Sequence, residues 1–242
     1  APLPVWPLEP AAADAPPAGQ VYENVQVLAD LPADHFDRLM AAITEWVSPE
    51  QGCNYCHNAE NLAEDSVYTK VVARRMIQMT QHINTNWQDH VALTGVTCYT
   101  CHRGQPVPAE IWFQAPPDRG RMVGYRAQQN QPGIASASLP IDPFTPFLLQ
   151  DQPIRVIGAN ALPPAAGPQI GTKATEYTYS LMNHMSEGLG VNCTFCHNSR
   201  QFAGWENVPP QRMTAWHGIR MTRELNAAYM DPLGPEYPAA RL

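Results

Sequence analysis

All six cysteines of the chain lie in three copies of one motif, Cys-x-x-Cys-His. The copies read Cys53-Asn54-Tyr55-Cys56-His57, Cys98-Tyr99-Thr100-Cys101-His102 and Cys193-Thr194-Phe195-Cys196-His197. That spacing attaches a porphyrin: two thiols add to its vinyl groups, and the adjacent histidine ligates the iron. A zinc site would need motifs to converge in pairs, and three motifs leave one over. Disulfides give no reason for a histidine after every second cysteine. The residues therefore point to three c-type haems. Cys53, Cys56, Cys98, Cys101, Cys193 and Cys196 would hold them, and His57, His102 and His197 would ligate iron.

The second axial position decides between electron transfer and small-molecule chemistry. A methionine thioether favours ferrous iron, whereas an open position binds substrates. Met40, Met76 and Met182 each lie on a predicted helix just upstream of a motif. A helical methionine is ordinarily core filler, but the same arrangement in three places argues for ligation. Met79 and Met185 are rivals on nearly the same faces. His90 sits in a loop before the second motif, where no ligand is expected. His35, His82, His184 and His217 read as surface or ordinary hydrogen-bonding residues.

Helical periodicity predicts the elements that carry these groups. One helix runs over 31–46, with Asp34 able to cap it and Phe36, Leu39, Met40, Ile43 and Trp46 on a face. A second spans 68–87, with Val71, Val72, Met76, Met79 and Ile83 on one side. Others cover 175–189 and 210–230, the last stopped by Pro232. Residues 105–170 read as a long connection with a few short strands, such as 154–157.

The pattern also repeats. Leu39-Met40 before the first motif matches Leu181-Met182 before the third. Met79-Thr80-x-x-Ile83-Asn84 matches Met221-Thr222-x-x-Leu225-Asn226. Met79 thus pairs with Met221, which favours Met76 as the ligand, and Met76 pairs with Gly218. The expected fold is mainly α with much coil: a multihaem c-type cytochrome of two pseudo-symmetric halves, each helix–haem motif–helix. The expected layout is an extended N-terminal arm (1–30), a first half with two haems (31–104), a Pro/Gly-rich connection (105–173) and a second half with one haem (174–242).

Composition fits coil laid over cofactors: 25 prolines, 15% charged and 44% hydrophobic residues. A net charge of −7 disfavours nucleic acid. An acidic surface suits a basic protein partner, and ordinary solubility explains it equally well. Glu60, Glu64 and Asp65 are candidate docking carboxylates, or simply a solvated helix start. Arg74, Arg75, Arg103 and Arg220 are candidates for haem propionates, or simply surface arginines. No run approaches the ~20 apolar residues of a membrane span. This kind of haem attachment happens on the exporting side of a membrane, so a targeting segment is expected, either removed or outside this sequence.

Several stretches together resemble the cytochrome subunit of the purple-bacterial photosynthetic reaction centre. They are Met40-Ala41-Ala42-Ile43-Thr44-Glu45-Trp46-Val47-Ser48-Pro49, Val71-Val72-Ala73-Arg74-Arg75-Met76, Ile83-Asn84-Thr85-Asn86-Trp87 and the run from Gly95 to Gly104. Asn192 to Asn198 and Trp216-His217-Gly218-Ile219-Arg220-Met221 match that family's second half. The resemblance covers about residues 20–240. It implies a multihaem electron carrier, not an enzyme, on the periplasmic face of the photosynthetic inner membrane. It implies docking on the L and M subunits and re-reduction of the bacteriochlorophyll special pair. The implied donor is a soluble c-type cytochrome or a high-potential iron–sulfur protein. The implied sixth ligands are Met40, Met76 and Met182.

The family's usual form has a fourth haem motif after the last helix, ligated by a histidine at the position of His90. The resemblance thus accounts for His90 and for Gly218. The chain reaches Leu242 without that motif and lacks the family's common N-terminal lipid-bearing cysteine. The expectation is three haems, with His90 a relic ligand. The fourth haem's place in the family lies between the second and third. Its loss would leave a gap, so that donors reach the third haem directly or transfer from the other two slows. A multihaem reductase and a free-standing periplasmic carrier remain as alternatives. A haem lacking a sixth ligand beside acid/base groups would mark the reductase.

Overall fold

The computed structural model describes residues 10–12, 14–109, 139–140, 142–154, 156 and 171–233. They fall into two compact units, one from residues 1–109 with 228–242, the other from 110–227. Among the described residues there are helices and coil but no strands.

The first unit is built on five helices: α1 Ala18–Val21, α2 Ala33–Val47, α3 Tyr68–Asn86, α4 Gln88–Val91 and α5 Cys98–His102. Residues 1–30 were expected to form an extended arm, but their described part folds back on α2. The N–H groups of Ala18 and Gly19 bond to Leu31 O and Ala29 O at 2.8 and 2.9 Å, and Ala18 is fully buried. The Tyr22 ring packs 5.4 Å from Phe36, and its hydroxyl donates to Asp37 at 2.8 Å. That hydrogen bond pushes the Tyr22 phenol pKa up.

The same fold-back changes how α2 starts. Asp34 does not cap it; Pro32 holds the N-cap position without a side-chain bond. Pro17 pairs with Pro32, and the Ala33 N–H is satisfied by Pro16 O at 3.0 Å. Asp34 instead sits in the first turn, where the helix dipole favours a carboxylate, 3.8 Å from Arg38.

Helix α3 spans almost the full predicted range and buries Lys70, Met79 and Ile83. The segment from residue 228 packs along it: Arg75 donates to Ala228 O and lies over the Tyr229 ring, and Tyr68 donates to Leu233 O at 3.2 Å. Helices α2 and α3 both lie against α5.

The second unit contains α6 Thr172–Leu189 and α7 Gln211–Leu225, with a π-helical turn at Thr145–Leu149. Among its described residues Leu181, Leu225, Phe147, Pro140 and Pro143 are buried. Ser180 donates to Pro140 O at 2.5 Å. Arg223 donates to Phe147 O and Gln152 O at 2.6 and 2.8 Å and pairs with Asp151. The single helix predicted over 210–230 is α-helical only to Leu225. It then widens to a π turn, Asn226–Met230, where the buried Asn226 amide turns to Leu148 O at 3.4 Å.

Much of the expected connection over 105–173 lies outside the described residues. Of the strand expected at 154–157, residues 155 and 157 lie outside them, and 154 and 156 are not in a strand. Phe147 instead enters the core from a helical turn.

Candidate functional site

The first motif is set by the end of α2. Ser48 donates to Gln51 at 2.6 Å, and the Gly52 N–H bonds to Ser48 O at 2.9 Å. Gly52 takes a φ of +64°, which a side chain would resist. A 3-10 turn, Gly52–Tyr55, then brings the N–H groups of Cys56 and His57 onto Cys53 O at 3.1 and 2.9 Å. The third motif repeats this turn: Cys196 and His197 donate to Cys193 O at 3.3 and 2.9 Å. The second differs, lying on the short helix α5 with Thr97 and Thr100 forming a capping box.

One feature is common to all three. His57 Nδ1 meets Leu62 O at 2.9 Å, His102 Nδ1 meets Gln105 O at 3.0 Å, and His197 Nδ1 meets Phe202 O at 3.0 Å. A carbonyl only accepts, so each Nδ1 carries the hydrogen and each Nε2 keeps its lone pair. That is how a metal-bound imidazole is fixed in tautomer and orientation.

A cavity of about 350 Å³ adjoins the first motif. Met40, Cys53, Cys56 and His57 line it, with Phe36, Ile43, Val47, Leu62 and Ile77 as apolar wall. A thioether, two thiols and an oriented imidazole thus surround one largely apolar space, which suits a porphyrin. Thr44 donates to Met40 O at 2.9 Å with its hydroxyl 3.9 Å from Cys53 Sγ, and Thr69 donates to Tyr55 O inside the motif.

The second motif is held by α3. Asn84 clamps Val96, donating to its carbonyl at 2.9 Å and accepting from its N–H at 2.7 Å. Gly95 beside it has φ +63°, and a Cβ there would lie 2.6 Å from Asn84 Oδ1. The Gly104 N–H bonds to Trp46 O at 2.8 Å, tying the motif's end to α2. Met76 is half-buried on α3, and Met79 is more deeply buried. Met182 and Met185 are half-buried on α6. Of the three expected methionine ligands, Met40 shares a described cavity with its motif; Met76 and Met182 are placed by helices that lead into theirs. His90 lies on α4, half-buried, with its N–H on Trp87 O at 2.9 Å.

The six cysteines form no disulfide. Burial pushes the thiols of Cys56, Cys98, Cys101 and Cys196 up. Among the described residues no three His, Cys, Asp or Glu side chains converge to hold a metal ion.

The charged candidates divide. Arg74 lines the cavity and binds Asp65 through two nitrogens at 2.7 and 2.8 Å; Arg220 lies over the Trp216 ring at 4.5 Å. Arg103 caps α5 in a left-handed conformation and is exposed. Arg75 Nε and Trp87 Nε1 are buried donors with no acceptor among the described residues, and a propionate is the class of group that satisfies such donors. Arg74 beside Asp65 holds that carboxyl well below the usual range. Glu64 accepts from Ser66 and Asn58, which also lowers its pKa. Two of the three candidate docking carboxylates are therefore engaged in the loop after the first motif, and Glu60 is exposed.

Lys70 went unnoticed in the residue patterns. It is 8% exposed, and its ammonium donates to Leu62 O, Ala63 O and Glu64 O. The repeat register was the signal that could have found it. Arg212 stands at the matching place in the second copy and donates to Ala203 O and Gly204 O.

Known proteins resemble this chain along its whole length. The family model described as "Photosynthetic reaction centre cytochrome C subunit" matches residues 1–242. A photosynthetic reaction center cytochrome c subunit of Rubrivivax gelatinosus is 55% identical over 231 residues, covering 94% of this chain and 63% of that protein. The Thermochromatium tepidum protein of that name is 48% identical, covering 98% of this chain and 59% of its own length. The one from Roseobacter denitrificans is 47% identical, covering 93% and 64%. The chain thus spans about three fifths of the length of these curated relatives. Among the described residues no helix is long and apolar enough to cross a membrane. With all three attachment motifs inside the matched range, the chain belongs to the photosynthetic reaction centre cytochrome c subunit family.

Proposed function

We propose that this chain is a haem-bearing part of an electron-transfer subunit, not an enzyme, that passes electrons to a photo-oxidised special pair. The observation that carries this reading is the shared cavity of Met40, Cys53, Cys56 and His57. It puts a thioether and an oriented imidazole on one apolar space, which supports a haem that would be held from both sides by protein side chains. The haem, when bound, supplies one-electron exchange between ferrous and ferric iron. The protein attaches it, orients the imidazole through Nδ1 and excludes water with apolar walls.

In this reading each motif holds one haem. Met40 and His57 serve the first, Met76 and His102 the second, Met182 and His197 the third. The matching turns at the first and third motifs support a duplicated helix–haem motif–helix unit, with 31–104 and 174–242 as its two halves. The L and M subunits with their bacteriochlorophyll special pair are the acceptor side. A soluble c-type cytochrome or high-potential iron–sulfur protein is the donor, and the site of action is the periplasmic face of the inner membrane.

Magnetic circular dichroism of the native subunit tests the ligands: three low-spin His/Met haems are expected from these motifs. A high-spin haem at any of them would favour a reductase. Intact mass of the native subunit counts the haems, and a bis-histidine signature in the same magnetic circular dichroism spectrum would show that one is ligated by a second histidine such as His90.

A further inference from the structure

The cavity at the first motif contains one buried cation whose target is the ligand's own hydrogen-bond acceptor. Lys70 Nζ donates to Leu62 O at 2.9 Å, and Leu62 O also accepts from His57 Nδ1 at 2.9 Å. The other two ammonium hydrogens go to Ala63 O at 2.7 Å and Glu64 O at 2.8 Å, so every donor is used. The charged groups facing Lys70 are Asp65, 3.3 Å from Nζ, Arg74, which binds the same carboxylate, and Glu64, whose carboxylate also feels the ammonium's charge. Glu23 and Asp37 also line the cavity, so it is Lys70's own buried charge, and not a net positive surround, that bears on the haem. At the third motif the matching cation, Arg212, reaches Ala203 O and Gly204 O, while the ligand's acceptor is Phe202 O.

We propose that Lys70 sets the reduction potential of the first haem, holding it up through the Leu62 carbonyl. This rests on His57 being that haem's ligand. Two effects act in the same direction. Leu62 O divides its lone pairs between an ammonium and an imidazole N–H, so it pulls less on the Nδ1 hydrogen. The imidazole then has less imidazolate character and is a poorer donor to ferric iron. The buried positive charge also opposes the additional charge of the ferric state, where screening by water is weak. Both favour ferrous iron, and hydrogen bonding and local charge are established levers on haem potential. Asp65 acts in the opposite sense, partly offset by Arg74.

The test is potentiometric titration of the purified native complex, with ligation checked by magnetic circular dichroism. Lys70→Gln keeps a donor and removes the charge. It should lower one midpoint, the same one displaced by Met40→His, and leave the others unmoved. The expected fall is about 59 mV, a tenfold loss in the ferrous-to-ferric ratio at fixed poise for a one-electron couple. Lys70→Arg should keep the wild-type midpoint, and Asp65→Asn should raise it. An unmoved midpoint in Lys70→Gln with His/Met ligation intact would mean that Lys70 only pins the 62–64 loop, and the proposal falls. If Lys70→Gln does not assemble, Lys70→Met, which keeps the stem and removes the charge, is read by the same criteria: an unmoved midpoint with ligation intact overturns the proposal. A wild-type spectrum without histidine at the first haem would instead defeat the ligand assignment beneath it.

Discussion

His57, His102 and His197 owe their orientation to main-chain carbonyls and not to a carboxylate partner. A side-chain carboxylate would push imidazole toward imidazolate and stabilise ferric iron; a peptide carbonyl does so less. The choice suits haems meant to give up electrons to an oxidant while remaining reducible by a donor. Met40 acts at the same scale. Met40→Ala should open one axial position, convert one haem from low to high spin and lower its potential, within the ~0.8 V range that axial ligation spans. Absorption near the thioether–iron charge-transfer band, read with a redox titration, checks both. A retained low-spin spectrum would show that Met40 is a wall residue. The thiols, imidazoles and sulfur of this site were legible from type and spacing because covalent attachment admits few alternatives. Lys70 was not, because one lysine on a helix carries no signal until the carbonyls it reaches are placed beside it.

At the scale of elements, the clamp of Asn84 on Val96 positions the second motif. Asn84→Ala leaves both polar groups of Val96 without their partner, at about 1–3 kcal/mol. Gly95→Ala forces a side chain into left-handed backbone, at roughly 1–2 kcal/mol, and against Asn84 as well. Both variants should lower the unfolding temperature and broaden the reduced α-band of one haem, which thermal melts and low-temperature absorption will register. The loop after the first motif is held by Asp65 between Lys70 and Arg74. Asp65's pKa is depressed in the fold, so its contribution is fully present above the unfolded carboxylate range. It is lost as pH falls through the lower folded value. The stability gap between wild type and Asp65→Asn should therefore be constant near neutrality and close on acidification, as pH-dependent denaturation would record. Helices α2, α3 and α6 followed their apolar periodicity closely. The start of α2 did not: its cap is decided by residues 16–17 folding beside Pro32, a contact between segments that no local pattern encodes.

For the whole molecule, donor docking should depend little on Asp65, because its charge is already balanced by two cations. Asp65→Asn should leave the second-order rate with a soluble donor, and its slope against ionic strength, within about twofold, whereas surface charges that steer encounter change both. Flash photolysis of the complex measures this, and a steep loss of salt dependence would place Asp65 in the docking surface. Three motifs, their cysteines and histidines, the upstream methionines and the mainly helical class all follow from residue types and intervals along the chain. Covalent haem chemistry and helical periodicity are local properties. The acceptors of the three ligand imidazoles, the Lys70–Leu62–His57 relay, the Asn84 clamp and the internal pairing of Asp65 came from the folded chain alone. Each depends on which partner group, three to twelve residues away, ends up within hydrogen-bond reach, and packing rather than spacing settles that distance.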